Sequence, residues 1–219
     1  MKNRGAFMTI AKLLLGLSLA GAAFGAHAAV SYNATGGQFS LNPGPGLVTN
    51  TFDGMVLPSG FASYDSAAVL IAFPGNSGYA AEPPGDMTDF FSVGVTDGQI
   101  PSSTITFGGS GISYFGFYMG SPDTYNSVTF HTAAGDETIT GSQMAAAAMV
   151  AVDGNQGVGF YMNFYSGAPI TQVTFSSSQN AFESDNHSYI AAVPEPGTYA
   201  MLLAGLGLVG AIARRRRQA

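Results

Sequence analysis

Between two apolar ends, the chain alternates short hydrophobic runs with turn residues. Ala67 to Phe73 is a continuous apolar run, which predicts a strand buried on both faces and stopped by Pro74-Gly75. Ile112 to Met119 is apolar or aromatic throughout, the pattern of a central strand. Ser121-Pro122-Asp123-Thr124 then places proline at the second position of a type I turn. Ser127 to His131, with Val128 and Phe130 in phase, is therefore expected to return beside it as its partner strand. Further strands are expected at Gln38 to Leu41, Leu47 to Phe52, Phe90 to Val95, Thr104 to Phe107, Thr138 to Thr140, Val158 to Tyr165, Thr171 to Ser176 and within Ala181 to Ala192. Gln143 to Val152 is mixed: its four consecutive alanines favour helix and Met149 to Val152 favours strand, so a short helical turn running into a strand is expected. Roughly ten short strands with little helix predict an all-β fold, an antiparallel β-sandwich of jelly-roll type, in one domain over residues 29–192.

The ends follow other rules. Lys2, Arg4 and Lys12 precede and flank an apolar stretch from Leu13 to Phe24, and Ala26-His27-Ala28 forms a small-x-small cleavage site. Residues 1–28 thus read as a secretory signal peptide cut by signal peptidase after Ala28, with Ala29 as the alternative. At the other end, residues 193–219 contain Pro194-Glu195-Pro196, then an uncharged stretch from Thr198 to Ala213, then Arg214, Arg215, Arg216 and Arg217. Those sixteen uncharged residues make roughly 24 Å of helix against a hydrocarbon core of about 30 Å, a short transmembrane helix whose arginines fix its end in the cytoplasm.

This tail resembles the PEP-CTERM sorting signal of Gram-negative bacteria with exopolysaccharide systems. The resemblance implies an exosortase as processing partner, cutting near Pro194 to Pro196. It also implies an inner-membrane-anchored intermediate and a final place at the cell surface or in the extracellular matrix. Retention in the membrane without processing is the alternative. The aromatic strand with its Ser-Pro-Asp-Thr-Tyr-Asn turn, Tyr161 to Phe164 and Phe182 to Asn186 look like a family of exosortase-dependent surface proteins. That similarity spans Ser103 to Ala219, implies location and architecture, and brings no defined activity.

Charge sharpens the picture once both ends are set aside. All seven basic residues lie in the leader or the tail, so residues 29–193 hold twelve acids and neither lysine nor arginine. Phosphate recognition depends on those bases, which excludes charge-driven nucleic-acid binding. The chain has no cysteine, so an exported domain of this length must rest on core burial without disulfides.

Candidate chemistry is sparse. In an extended segment, Glu183 and Asp185 share a face about 7 Å apart. With Asn186 and Asp53 they form a candidate calcium site, against the simpler role of solvated or turn-capping acids. Asp153-Gly154-Asn155 has the flavour of a calcium loop without the remaining ligands. Tyr114, Tyr118, Asp123 and Tyr125 are candidate glycan contacts, since tyrosine combines an apolar face with a polar tip. Catalytic residues are not expected: His131 and His187 lack a metal-ligand spacing, and neither Gly-x-Ser-x-Gly nor His-Glu-x-x-His occurs. The expectation is a noncatalytic envelope or matrix protein associating with exopolysaccharide; the alternative is a secreted carbohydrate-active enzyme on the same scaffold, because glycoside hydrolysis needs only two carboxylates.

Overall fold

In the computed structural model, the residues described are 30–41, 44–75, 78–96, 98–193, 202–207, 209 and 214. The leader with Ala26 and Ala28, the Pro194-Glu195-Pro196 motif and Arg215 to Arg217 lie outside them. Among the described residues no helix is long and apolar enough to cross a membrane.

The fold is all-β and antiparallel. Eleven strands run β1 (Ser31–Thr35), β2 (Leu47–Asn50), β3 (Ala62–Tyr64), β4 (Leu70–Ile71), β5 (Phe90–Val93), β6 (Ser102–Phe107), β7 (Ile112–Gly120), β8 (Asn126–Thr132), β9 (Gly135–Thr140), β10 (Gly159–Ser177) and β11 (Phe182–Ala191). A helix, α1 (Gly141–Ala148), follows β9, and residues 202–207 near the C-terminus are also helical. All eleven strands join one curled sheet, and β10 is its spine. The first half of β10 pairs with β1 and β7, the second half with β6 and β8. β7 continues to β11, which also takes β2 and β5, and β5 takes β4. On the other side β8 takes β9 and β6 takes β3. The two halves fold over each other, bringing Phe117 of β7 within 5.0 Å (ring centroids) of Phe175 and Phe130 of β8 within 4.6 Å of Phe164.

Period-two alternation sets these faces. On β7, Phe115, Phe117 and Met119 join the core cluster, and on β10 Phe160, Met162 and Phe164 do the same. The intervening positions, Tyr114 and Tyr118 on β7 and Tyr161 and Asn163 on β10, form the opposite face. Glycines make room for the tyrosine rings there. A Cβ on Gly116 would sit 2.4 Å from the Tyr114 hydroxyl, 2.7 Å from Tyr161 Cε1 and 2.9 Å from the Met162 carbonyl oxygen. Gly116→Ala should therefore cost about 2–3 kcal/mol through overpacking. Gly167→Ala, with nothing within 4 Å of the added carbon, should stay within about 0.5 kcal/mol. Equal denaturation midpoints for the two variants would contradict this account.

Several expectations are corrected. Ala67 to Phe73 is not a strand: Ser66 accepts from the Ala68 N–H and caps a 3-10 turn at Ala67–Val69, leaving only the two residues of β4 extended. An apolar run without alternation does not distinguish the two conformations. β8 does not return beside β7. Ser121 takes a positive φ of 45° and donates to the Val158 carbonyl, so the Pro122 turn carries the chain to the other half of the sheet, where β8 meets β9 and β10. The two strands expected at 158–165 and 171–176 are one continuous strand of 19 residues. Gln38 to Leu41 is not a strand, and the first strand is β1 instead. The helix at Gln143 is present, held by a capping box between Thr140 and Gln143, but it ends at Met149 in the left-handed region and no strand follows.

Candidate functional site

Among the described residues polar side chains gather at several places, and the folding of β11 determines two of them. Phe182 and Ser184 face the core, so Glu183 and Asp185 face the tyrosine side, as alternation requires. At Asn186 the backbone turns to φ 51° and the pairing with β7 shifts by one residue between Asp185 and Ser188. This bulge returns His187 to the core. His187 is 1% exposed, stacks on Phe175 at 4.9 Å and lies 2.9 Å from both the Tyr64 hydroxyl and Ser184 Oγ. Burial holds its pKa well below the usual histidine value, so it is a neutral core residue, not a surface one.

Asp185 lies under the segment from Tyr79 to Asp89. Thr88 Oγ1 donates to Asp86 Oδ1 at 2.6 Å and lies 3.4 Å from Asp185 Oδ2. Both acids are buried, at 8% and 1% exposure. Burial, the Asp86 hydrogen bond and the Asp86 charge push Asp185 up to about 9, against the opposing Asn186 N–H. Asp185 therefore favours its protonated form at neutral pH. Asn186 turns its main chain inward, its carbonyl accepting from the Tyr161 hydroxyl at 3.0 Å. Asp53 is exposed and accepts from Thr51 Oγ1 at 2.7 Å.

Glu183 turns to a different neighbourhood. Its Oε1 accepts from the Ala81 N–H at 3.1 Å, and it lines a cavity of about 110 Å³ together with Ser121, Asp123, Tyr125, Gln156 and Asn180. Burial pushes Glu183 up to about 7, with the Asp123 charge adding to it. Burial also raises Asp123, eased by the nearby Tyr125 hydroxyl and reinforced by the Asp153 charge. The four residues named for calcium are thus divided: Glu183 faces Asp123, and Asp185 faces Asp86. Among the described residues, no three His, Cys, Asp or Glu side chains gather as a metal cluster.

The four candidate glycan residues are divided as well. Tyr114 and Tyr118 are 2% and 4% exposed and offer no ring face to a sugar. The Tyr118 hydroxyl donates to the Pro84 carbonyl at 2.6 Å, and the Tyr114 hydroxyl lies 2.8 Å from both Ser40 Oγ and Asn163 Oδ1. Two surface segments therefore close over them. Asp123 and Tyr125 stay together and half-buried, the Tyr125 hydroxyl donating to the Asn180 carbonyl at 2.8 Å.

A third place is the outer face of β6, β10, β8 and β9. Their registers align three rows: Thr106, Gln172, His131, Asp136; Thr104, Thr174, Thr129, Thr138; and Ser102, Ser176, Ser127, Thr140. Hydroxyls meet across the strands at 2.9 Å for Thr104 and Thr174, 2.8 Å for Thr129 and Thr138 and 3.0 Å for Ser102 and Ser176. Each hydroxyl retains further donor or acceptor capacity. At strand spacings this is a patch roughly 14 Å on a side, almost without charge. His131 and Asp136 pair at 3.0 Å along one edge. At the opposite edge a groove of about 570 Å³ runs past Tyr125, Ser127, Thr140 and Ser176. The sequence carried a signal for this face, serine or threonine at every second position of Ser102 to Thr106 and of Ser127 to Thr129, which the expected sites overlooked.

No curated protein matches the chain. Among solved structures, the crystal structure of the K2 cleaved adhesin domain of Lys-gingipain superposes with a TM-score of 0.41 at 14% identity, covering 68% of this chain and all of that one, too slight a likeness to argue from. The firm correspondence is in the tail: residues 192–217 match the PEP-CTERM protein-sorting motif, consistent with exosortase-dependent delivery to the cell surface.

Proposed function

We propose that this chain is a noncatalytic surface or matrix protein that an exosortase sorts and cleaves, and that the mature domain, a sandwich of jelly-roll type bent around β10, associates with exopolysaccharide. The observation that carries the sorting is the motif at residues 192–217. For the ligand, support comes from the hydroxyl face and its groove. Sugar hydroxyls exchange hydrogen bonds with Ser and Thr in either direction. The groove volume lies within the usual range for ligand sites, and Tyr125 offers an aromatic edge at its end. A face with almost no charge suits a polymer recognised by hydroxyl contacts.

Mass spectrometry of the surface-exposed pool should find a C-terminus upstream of Arg214 to Arg217, and changing all four arginines to Gln should leave the tail uncut. An intact tail on the wild-type surface pool would refute cleavage. The exported protein should co-sediment with the host's exopolysaccharide without releasing reducing ends. Thr129→Val combined with Thr174→Val should weaken that binding about tenfold, the equivalent of about 1.4 kcal/mol. Release of reducing ends, abolished by a single Asp or Glu substitution, would replace this reading with the enzymatic one.

A further inference from the structure

The Glu183 cavity holds an arrangement that the fold alone does not account for. Glu183 is 4% exposed, and among the described residues its Oε2 has no hydrogen-bond partner, whereas Oε1 is held by the Ala81 N–H. A buried carboxylate oxygen without a partner is costly, whether the group is charged or neutral. Asp123 lines the same cavity from the turn after β7, and its approach depends on Gly154, where a Cβ would lie 2.7 Å from Asp123 Oδ1. The domain contains neither lysine nor arginine, so no side chain of fixed positive charge can balance these two acids.

We propose that Asp123 and Glu183 bind a calcium ion in this cavity. The oxygen-rich lining fits a hard cation, with Ser121 and Gln156 as neutral neighbours beside the two carboxylates, while the Asn180 amide oxygen is taken up by the Val95 and Thr96 N–H groups. The size fits as well: about 110 Å³ suits an ion with a few waters and is too small for a sugar ring with its substituents. This also argues against glycoside hydrolysis by the same two acids. A bound ion would tie the turn after β7 to the start of β11 and to the Gly154 loop. Asp153, whose charge acts on Asp123, belongs to that loop, giving the Asp153-Gly154-Asn155 motif a place at the rim. The inference is independent of polysaccharide binding.

The test uses the purified full chain, stripped with EDTA and titrated with terbium chloride and then calcium chloride. Tyr79 and Tyr125 line the cavity and can sensitise terbium emission, and the chain has no tryptophan to obscure it. Sensitised emission should saturate near one equivalent, fall on addition of calcium and be accompanied by a calcium-dependent rise in melting temperature. Glu183→Gln and Asp123→Asn should each weaken calcium at least tenfold, with Asp185→Asn retaining it. If Glu183→Gln does not fold, Asp123→Asn, at a half-buried position, carries the test. Absence of both signals in the wild type, or their persistence in Asp123→Asn, would overturn the proposal, as would an equal thermal shift with magnesium alone.

Discussion

Replacing Asp185 with asparagine should make the domain more stable at alkaline pH and remove most of its loss of stability between pH 5 and 9. In the folded protein Asp185 titrates at about 9, chiefly because it is buried, then because of Asp86, with Asp53 adding repulsion. In the unfolded chain it titrates near 3.9. The folded state therefore holds a proton that the unfolded state releases. Its contribution is fully present below about pH 4, declines as pH rises toward 9 and is flat above that. At about 1.4 kcal/mol per pH unit, the Asp86–Asp185 pair costs the fold several kcal/mol by pH 9. Asparagine keeps an oxygen for the Asn186 N–H, now 2.6 Å from Asp185 Oδ1, and can donate its amide to Asp86 without titrating. The expected gain in melting temperature at pH 9 is about 10 °C, with little change at pH 4. Glu183, at about 7, should leave a shallower slope between pH 4 and 7 in the variant. Parallel pH curves for wild type and variant, measured in EDTA, would show that Asp185 takes up no proton on folding.

Local pattern predicted an all-β antiparallel fold, but neither its topology nor that its strands join one curled sheet. The alternation in Ser127 to His131 identified a strand correctly, yet its partner depended on whether Ser121-Pro122 reverses the chain or carries it across the fold. That choice rests on the Ser121 N–H reaching Val158, a contact thirty-seven positions away that no local rule contains. The same limit explains the sites. Placing Glu183 and Asp185 on one face was correct, since β11 is extended there, but the partner of each acid comes from a distant segment, Asp123 for one and Asp86 for the other. His187 could not be assigned inward without knowing of the bulge at Asn186. The tyrosines of β7 looked available because sequence does not reveal which surface loops close over a face. The hydroxyl rows were legible strand by strand, but only the registers turn separate Ser and Thr positions into a surface.

Phe175→Ala should be the most damaging core truncation, because this ring joins both halves of the curled sheet. It sits on the second half of β10 and reaches Phe117 at 5.0 Å, Phe115 at 6.1 Å, Phe182 at 5.2 Å and Phe91 at 5.0 Å, all from the other half. It also stacks on His187, whose hydrogen bonds to Tyr64 and Ser184 depend on the ring's position. Removal leaves a cavity that its neighbours, held on both sides by β ladders, cannot easily fill. A loss of about 3–5 kcal/mol is expected. Exposed Phe39→Ala should change stability by no more than about 0.5 kcal/mol. Because the core is shared across the bend of β10, wild-type unfolding in urea should be a single transition, and Phe175→Ala should shift its midpoint while leaving the slope unchanged. If the halves were separate units, the variant would show two transitions with one unaffected. That outcome, or a loss below about 1 kcal/mol, would mean that Phe175 does not couple the halves and that β10 holds them together by its backbone alone.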